Sequence, residues 1–374
     1  MSNRKIVLWV THDSYVDHDI DVVPLISKIA DIHWLVMLPY KNGRFKEEDF
    51  AHLDLSHNNK IHFIKAEHRA RYPQNISFYN AVFNLQKELK ADIIHLDIGV
   101  DNPWALPLFL KLHAGNTVVT LHQGAPHEGM NNHWLCNFLR NIIFHKFKYV
   151  KMFSKSQHAL FETKFFNKRV FEFTLPLLRF GEPSITRKDD GVIRFLSFGS
   201  INYAKHIDLL LDAACNLYEQ GYKNIRVKIA GKCGDWQTTY KPHIKYPEII
   251  EEEIRMIDNS EIPNLFTDAD YFVQPYRVIS QSGPFKIAMQ YNLPLITSDL
   301  PGFTDEMVEG VTGYTFKTND VKSLEEVMIK AIKMKEDVVP YADLKDKMKA
   351  YVEKTYAPDA LVKQYADMFN EIAK

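Results

Sequence analysis

The residues best suited to chemistry in this sequence lie in two short turns of its second half and at one strand end of its first. In Phe198-Gly199-Ser200-Ile201-Asn202-Tyr203-Ala204-Lys205 a strand-like run gives way to a turn, followed by a segment with Ile207, Leu210, Leu211, Ala214 and Leu217 on one helical face. A lysine at the start of a helix that follows a strand can set its ammonium beside a diphosphate and offset charge developing on a leaving group. A solvated lysine in a turn is the alternative. The second turn follows Asp270-Tyr271-Phe272-Val273-Gln274-Pro275-Tyr276-Arg277, where Ser280-Gln281-Ser282-Gly283-Pro284-Phe285-Lys286 opens a helix reaching about Tyr291, with Pro284 suited to its first turn. Free amides at such a terminus, with the helix dipole behind them, form an anion site; a plain N-cap is the competing reading. In the first half, Val118-Val119-Thr120-Leu121-His122, followed by Pro126-His127-Glu128, places a histidine at a strand end, either as a structural group or facing a substrate.

These positions need elements to hold them. Strand-like runs recur at Ile6 to Val10, Ile32 to Leu38, Ile61 to Ile64, Ile93 to Asp97, Thr117 to Leu121, Val150 to Ser154 and Val170 to Leu175, mostly separated by helix-like segments. Strand and helix in alternation predict a parallel sheet covered on both faces. Residues 181–191, with Gly181, Pro183 and a charged cluster from Arg187 to Asp190, read as a linker. A second cycle follows, with strands at Ile193 to Phe198, Ile225 to Ala230, Glu253 to Ile257, Tyr271 to Gln274, Leu295 to Thr297 and Tyr314 to Phe316. After Pro358 a last helix carries Leu361, Tyr365, Met368, Phe369 and Ile372 on one stripe and must dock somewhere. The expected organisation is a first α/β domain over 1–180, a second over 192–356, and a helix over 357–374 returning to the first. Two Rossmann-like, doubly wound domains facing a cleft would present strand C-termini and helix N-termini to it, which predicts a phosphate-bearing ligand.

Composition narrows the class. The chain has 374 residues, 46% hydrophobic and 25% charged, enough for two cores. Lys plus Arg (46) nearly balances Asp plus Glu (47), which argues against a nucleic-acid partner. The cysteines, Cys136, Cys215 and Cys233, are odd in number and scattered, as in a reducing compartment, and they offer no zinc spacing. The sequence enters a strand-like run at once, and no stretch approaches the roughly 20 apolar residues of a membrane span, so a cytoplasmic protein is expected.

Taken in order, several landmarks resemble those of family 4 of the retaining glycosyltransferases (glycosyl transferases group 1), which have the GT-B fold. They are Phe195 through Lys205, Ile229-Ala230-Gly231-Lys232, Asp270 to Tyr276, Ser280 to Gly283, and Asn292-Leu293-Pro294-Leu295-Ile296-Thr297-Ser298-Asp299 followed by Gly313. Together they cover about two thirds of the second domain, and Val118 to His122 is similar to the family's strand-end histidine motif. The resemblance implies transfer of a sugar from a nucleoside-diphosphate-sugar to a hydroxyl of a glycan or lipid-linked acceptor, with retention and without a metal or other cofactor. It implies that Lys205 contacts the donor diphosphate, that amides around Ser282, Gly283 and Phe285 hold its distal phosphate or sugar, and that the loop after Gly231 and Lys232 lies near the base. His122 would face the transferred sugar, and Gly199, Ser200 and Asn202 would line the donor. A role in polysaccharide biosynthesis would follow.

Two departures stand against this pattern. Asn202 occupies the position of an arginine common in the family, and the usual spaced pair of glutamates is missing, with Ile279 or Ser280 at the first position and Ile287 at the second. Arg277 and Gln281 are the substitutes this sequence offers, as a charge and as a sugar-hydroxyl partner. An inactive accessory subunit binding a glycan or a partner transferase, and a nucleotide-sugar epimerase, are the alternatives. A third feature is His133 to Lys155, where Leu135, Phe138, Leu139, Ile142 and Ile143 form an apolar stripe beside Arg140, Lys146, Lys148, Lys151 and Lys155. An ordinary covering helix accounts for the stripe best; a peripheral contact with the inner face of an anionic membrane is the second reading.

Overall fold

The structure, a computed structural model, describes residues 4–41, 43, 45–56, 58–68, 72–125, 133–187 and 189–373. Pro126-His127-Glu128 lies outside them. Two compact units emerge, residues 1–176 with 357–374, and residues 177–356. The second begins before the expected linker because Leu178 is buried in its core and Tyr291 bonds the backbone of both Phe180 and Gly181. Residues 181–191 are likewise pinned to it, Arg187 by the buried Asp270 and Ser184 by Asn264.

The first unit holds β1 (Ile6–His12), β2 (Asp31–Leu38), β3 (Lys60–Lys65), β4 (Ile93–Asp97), β5 (Thr117–Leu121), β6 (Tyr149–Met152) and β7 (Arg169–Glu172). They form one parallel sheet in the order β3-β2-β1-β4-β5-β6-β7. Alternate residues feed two cores. Leu8, Val10, Leu96 and Val119 pack with Phe78, Val82, Leu108, Ile143 and Phe144, and Val7, Trp9, Trp34 and Val118 pack with Val22, Ile26, Tyr365, Met368, Phe369 and Ile372. Helix Pro358–Ile372 therefore belongs to this unit, and its four buried side chains, worth roughly 1.5–3 kcal/mol each, fasten it there.

The second unit repeats the arrangement with β8 (Ile193–Phe198), β9 (Ile225–Ala230), β10 (Ile250–Glu253), β11 (Tyr271–Gln274), β12 (Leu295–Ser298) and β13 (Gly313–Phe316), parallel and ordered β10-β9-β8-β11-β12-β13. One expected strand is displaced. The pairing element is Ile250–Glu253, not Glu253 to Ile257, because Arg255 turns back to bond Glu253 while the acidic run serves as a charged edge strand beside Lys228.

In each sheet the strand order reverses between two neighbours, β1 and β4 in the first unit, β8 and β11 in the second. Open α/β sheets bind ligands outside the carboxyl ends of their strands at such a reversal.

Candidate functional site

At the reversal of the second unit, β8 ends in Gly199 (φ +125°) and β9 in Gly231 (φ +146°), both in conformations that side-chain-bearing residues rarely adopt. The two turns press together backbone to backbone: a Cβ on Gly231 would stand 1.9 Å from the Gly199 carbonyl oxygen. Hydrogen bonds from Gly199 N to Ala230 O (3.0 Å) and Ile201 N to Lys232 O (2.9 Å) complete the seam. Ser200 and Lys232 are exposed beside it. Asn202 caps the short turn Tyr203–Lys205 by accepting from Ala204 N at 3.1 Å, a use that leaves no cation at its position.

Lys205 closes that turn, half-buried, with its ammonium 3.7 Å from the centre of the Tyr276 ring. Among the described residues no carboxylate pairs with it. Arg277, expected to help with charge, is otherwise engaged: its guanidinium donates to Asp208 at 2.7 Å and to the Tyr203 carbonyl at 2.8 Å, and lies over the Tyr203 ring. Its backbone N bonds Ala204 O at 2.9 Å, so it clamps the loop after β11 to the loop after β8. The expectation of Arg277 as a free cation is corrected on this ground; its charge is spent on Asp208.

The helix Gly283–Gln290 starts beside these loops, with Pro284 against the position of a Gly199 Cβ at 3.3 Å. Ser282 is its N-cap, accepting from Phe285 N at 3.2 Å and from Gln274 Nε2 at 2.7 Å. The Phe285 amide is thereby taken up by the Ser282 hydroxyl. Pro284 has no N–H, so Gly283 supplies the outward amide of the first turn. Gln281 stands before the cap with its amide nitrogen shielded from solvent and unpartnered among the described residues. Behind the helix, Lys286 is buried and held by Glu306 and by Tyr356 Oη (2.8 Å), and burial pulls its pKa down. Sequence reasoning missed this trio, whose one signal is a lysine inside the apolar run Phe285 to Met289. Gly199, Lys205, Tyr276, Arg277 and the start of the helix thus converge.

His122 belongs to the first unit, directly after β5. Its ring stacks on Tyr15, with centroids 4.3 Å apart and planes within 4°, and its Nε2 lies 3.0 Å from Asp97 Oδ1. The loop it opens is pinned: Arg140 donates to Gln123 O, and Gly124 N donates to Gln157 Oε1, with the Gln157 carbonyl only 2.1 Å from where a Gly124 Cβ would be. Near the ends of β1, β2 and β3 a pocket of about 720 Å³ is lined by His12, Tyr40, Lys41, His68, Tyr72 and Tyr79 among others.

The segment after residue 132 differs from the amphipathic surface considered above. Helix His133–Lys146 buries Cys136, Leu139, Arg140, Ile143 and Phe144. Arg140 is buried against Asp101, Lys151 is fully buried in β6, and Lys146 caps the carbonyls of Phe109 and Leu110. Three of the five basic residues are therefore committed internally. Trp134 and Phe138, one turn apart, remain 70% and 54% exposed. No helix among the described residues is long and apolar enough to cross a membrane.

Comparison with known proteins follows the same division. Residues 181–355, within the second unit, are similar to the family described as glycosyl transferases group 1. A comparison with curated protein sequences finds no match. Solved structures share the fold along nearly the whole chain. A glycosyltransferase from Rickettsia africae has TM-score 0.72 at 15% identity, covering 100% of this chain and 99% of that one. Sucrose-phosphate synthase from Thermosynechococcus elongatus has TM-score 0.72 at 11% identity, covering 99% of each. HepE of Anabaena, solved with UDP, has TM-score 0.69 at 12% identity, covering 98% of this chain and 100% of that one. At these identities the likeness is one of fold, the pair of Rossmann-like domains of GT-B glycosyltransferases.

Proposed function

We propose, from a second unit similar to the group 1 family on a chain of GT-B fold, that this protein transfers a sugar from a nucleoside-diphosphate-sugar to a hydroxyl acceptor with retention of configuration. The observation that carries the reading is Lys205. Its ammonium is unneutralised by any described carboxylate, and it lies at the strand reversal beside two glycine turns and a helix N-terminus, where a diphosphate would find a cation and amides together. With the departing phosphate helping to take the acceptor proton on the same face of the sugar, no pair of catalytic carboxylates is required, so the missing glutamates do not exclude turnover. Gln281 Nε2 is suited to a sugar or phosphate oxygen, and His122 to a sugar hydroxyl. The acceptor is a glycan or a lipid-linked glycan; the tyrosine-lined pocket of the first unit supports a ring-stacking seat for it. Lys205 and the helix amides would supply the charge neutralisation that a divalent ion otherwise gives, so turnover in EDTA is expected.

A thermal-shift panel of UDP, GDP, ADP and dTDP with their sugars tests this on wild type and Lys205→Ala. UDP comes first because the similar HepE fold was solved with UDP and UDP-glucose. A ligand at about one hundred times its Kd stabilises by roughly 2.7 kcal/mol, and Lys205→Ala is expected to abolish that shift. If no nucleotide shifts the wild type, the accessory-subunit reading replaces this one, and acceptor-independent conversion of the donor sugar would mark an epimerase.

A further inference from the structure

Beneath His122 lies a set of buried polar groups that a two-sided parallel sheet does not need for stability. Across β1 and β4, Thr11 stands opposite Asp97, and across β5 and β6, Thr120 stands opposite Lys151, so a polar row interrupts strands that are otherwise apolar. Asp97 and Lys151 are both 0% exposed. Lys151 Nζ lies 4.0 Å from Asp97 Oδ2, donates to Tyr365 Oη at 3.1 Å, and is enclosed by the rings of Trp9, Phe153, Phe173 and Tyr365 at 4.8–5.8 Å. The other face of Asp97 meets His122 Nε2 at 3.0 Å.

Burial pushes the carboxyls of Asp97 and Asp19 up, but at Asp97 the hydrogen bond from His122 Nε2 and the nearby Lys151 outweigh it and hold it below its ordinary range. Asp19, which accepts from Thr11 and Trp9 on a single oxygen, is left raised by burial and by Asp97. His18 and His95 are pushed low by desolvation, and burial raises the phenols of Tyr15 and Tyr365. Burial pulls the Lys151 ammonium down while Asp97 and Asp19 hold it up, and its Nζ faces Asp97 Oδ2. An ionised carboxylate can only accept, so the ring nitrogen facing Asp97 must hold the proton.

We propose that Asp97 is a positioning residue, paired with Lys151, that fixes His122 as the Nε2–H tautomer and so presents the bare Nδ1, which no described residue engages, to a hydroxyl of a sugar bound at the end of β5 in the first unit. The side chain of His122 keeps 16% exposure, enough for that nitrogen to be reached, and stacking on Tyr15 holds the ring plane. The pinned loop from Gln123 to Gly124 fixes where the ring sits. The sugar contact rests on the transferase reading above; the tautomer does not.

The experiment is nitrogen-15 NMR of the histidine rings in the full chain at about pH 8, with His122 assigned by difference from His122→Gln. The expected wild-type signal is a protonated Nε2 and a bare Nδ1. Asp97→Asn, which keeps the shape but can donate as well as accept, is expected to admit the other tautomer and to lower kcat by roughly 10- to 100-fold, with little change in donor KM. A wild-type ring protonated at Nδ1 overturns the proposal, as does an Asp97→Asn spectrum that keeps Nε2–H alone. Should Asp97→Asn fail to fold, the wild-type tautomer decides. Protein that shows Nε2–H but binds no nucleotide removes the transferase reading and leaves the tautomer standing; nucleotide binding with Nδ1–H does the reverse.

Discussion

Replacing Gly231 with alanine tests whether the seam of the two glycine turns is built as described. The new Cβ would lie 1.9 Å from the carbonyl oxygen, 2.8 Å from the carbonyl carbon and 3.3 Å from the nitrogen of Gly199, all backbone atoms with no rotamer to escape into. The residue would also keep φ near +146°, outside the regions open to an L side chain. Strain of about 1–3 kcal/mol from the dihedral and about 1–2 kcal/mol from overpacking give a loss of roughly 2–5 kcal/mol. With a urea m-value of about 2 kcal/mol per molar, the midpoint should fall by roughly 1–2.5 M, and the nucleotide-induced thermal shift should shrink because the Gly199 turn must move. Gly234 is the control, three residues along the same loop with nothing within 4 Å of its would-be Cβ, and Gly234→Ala should stay within about 0.5 kcal/mol. Equal urea midpoints for the two variants would refute the close approach, and an unchanged nucleotide shift in Gly231→Ala would separate the seam from the ligand site.

Asp19 makes stability depend on pH with a definite sign. Burial first, then the nearby Asp97, raises its carboxyl from the ordinary value to about 7, so the native state keeps a proton that the unfolded chain has released. Its contribution is full at low pH and is lost as pH rises through about 7; Asp19→Asn should remove that loss, so a Tm series from about pH 5 to pH 8 should show the variant gaining on the wild type, and parallel curves would contradict the assignment. Trp134 and Phe138 give the membrane contact its remaining support, and Trp134→Ser with Phe138→Ser should reduce co-sedimentation with anionic liposomes several-fold at constant stability. Equal sedimentation of both proteins would remove the contact.

Most strands were legible because a parallel sheet buried on both faces must be written in short β-branched and aromatic runs, and these announce themselves without tertiary information. The strand expected at Glu253 to Ile257 failed for the complementary reason. An edge strand tolerates charge, so the pairing residues Ile250–Glu253 look like a solvated acidic run, and the apolar-looking segment beyond them turns away at Arg255. The turns of the candidate site were legible where their geometry is carried by the backbone, as at Gly199 and Gly231. Side-chain roles were misread where they depend on which partner a side chain finds. Arg277, Ser282 and Arg140 each look available in the sequence, and each is consumed by a group remote in sequence or hidden by the turn: Asp208, Gln274 and Asp101. Asp97 and Lys151 went unread for the same reason. Their signal is polarity inside an apolar strand, which has no meaning until the register sets one beside the other.

Asparagine at position 202 shapes the electrostatics of the proposed donor site in a way that sharpens the choice between enzyme and accessory subunit. The ion pair of Arg277 with Asp208 sums to about zero at the distance of a bound diphosphate, and Asn202 adds none. Among the described residues there remain the ammonium of Lys205, that of the exposed Lys232 beside the Gly231 turn, and roughly half a positive charge at the N-terminus of Gly283–Gln290. Removing Lys205 therefore strips about two fifths of that positive charge, and the part held over the Tyr276 ring. In a transferase that loss must fall on kcat as well as on binding, because the charge on the leaving phosphate grows as the sugar departs. In an accessory subunit it can fall on binding alone. A Lys205→Ala protein brought to saturation with donor, and still turning over at the wild-type rate, would place catalysis elsewhere than on this lysine.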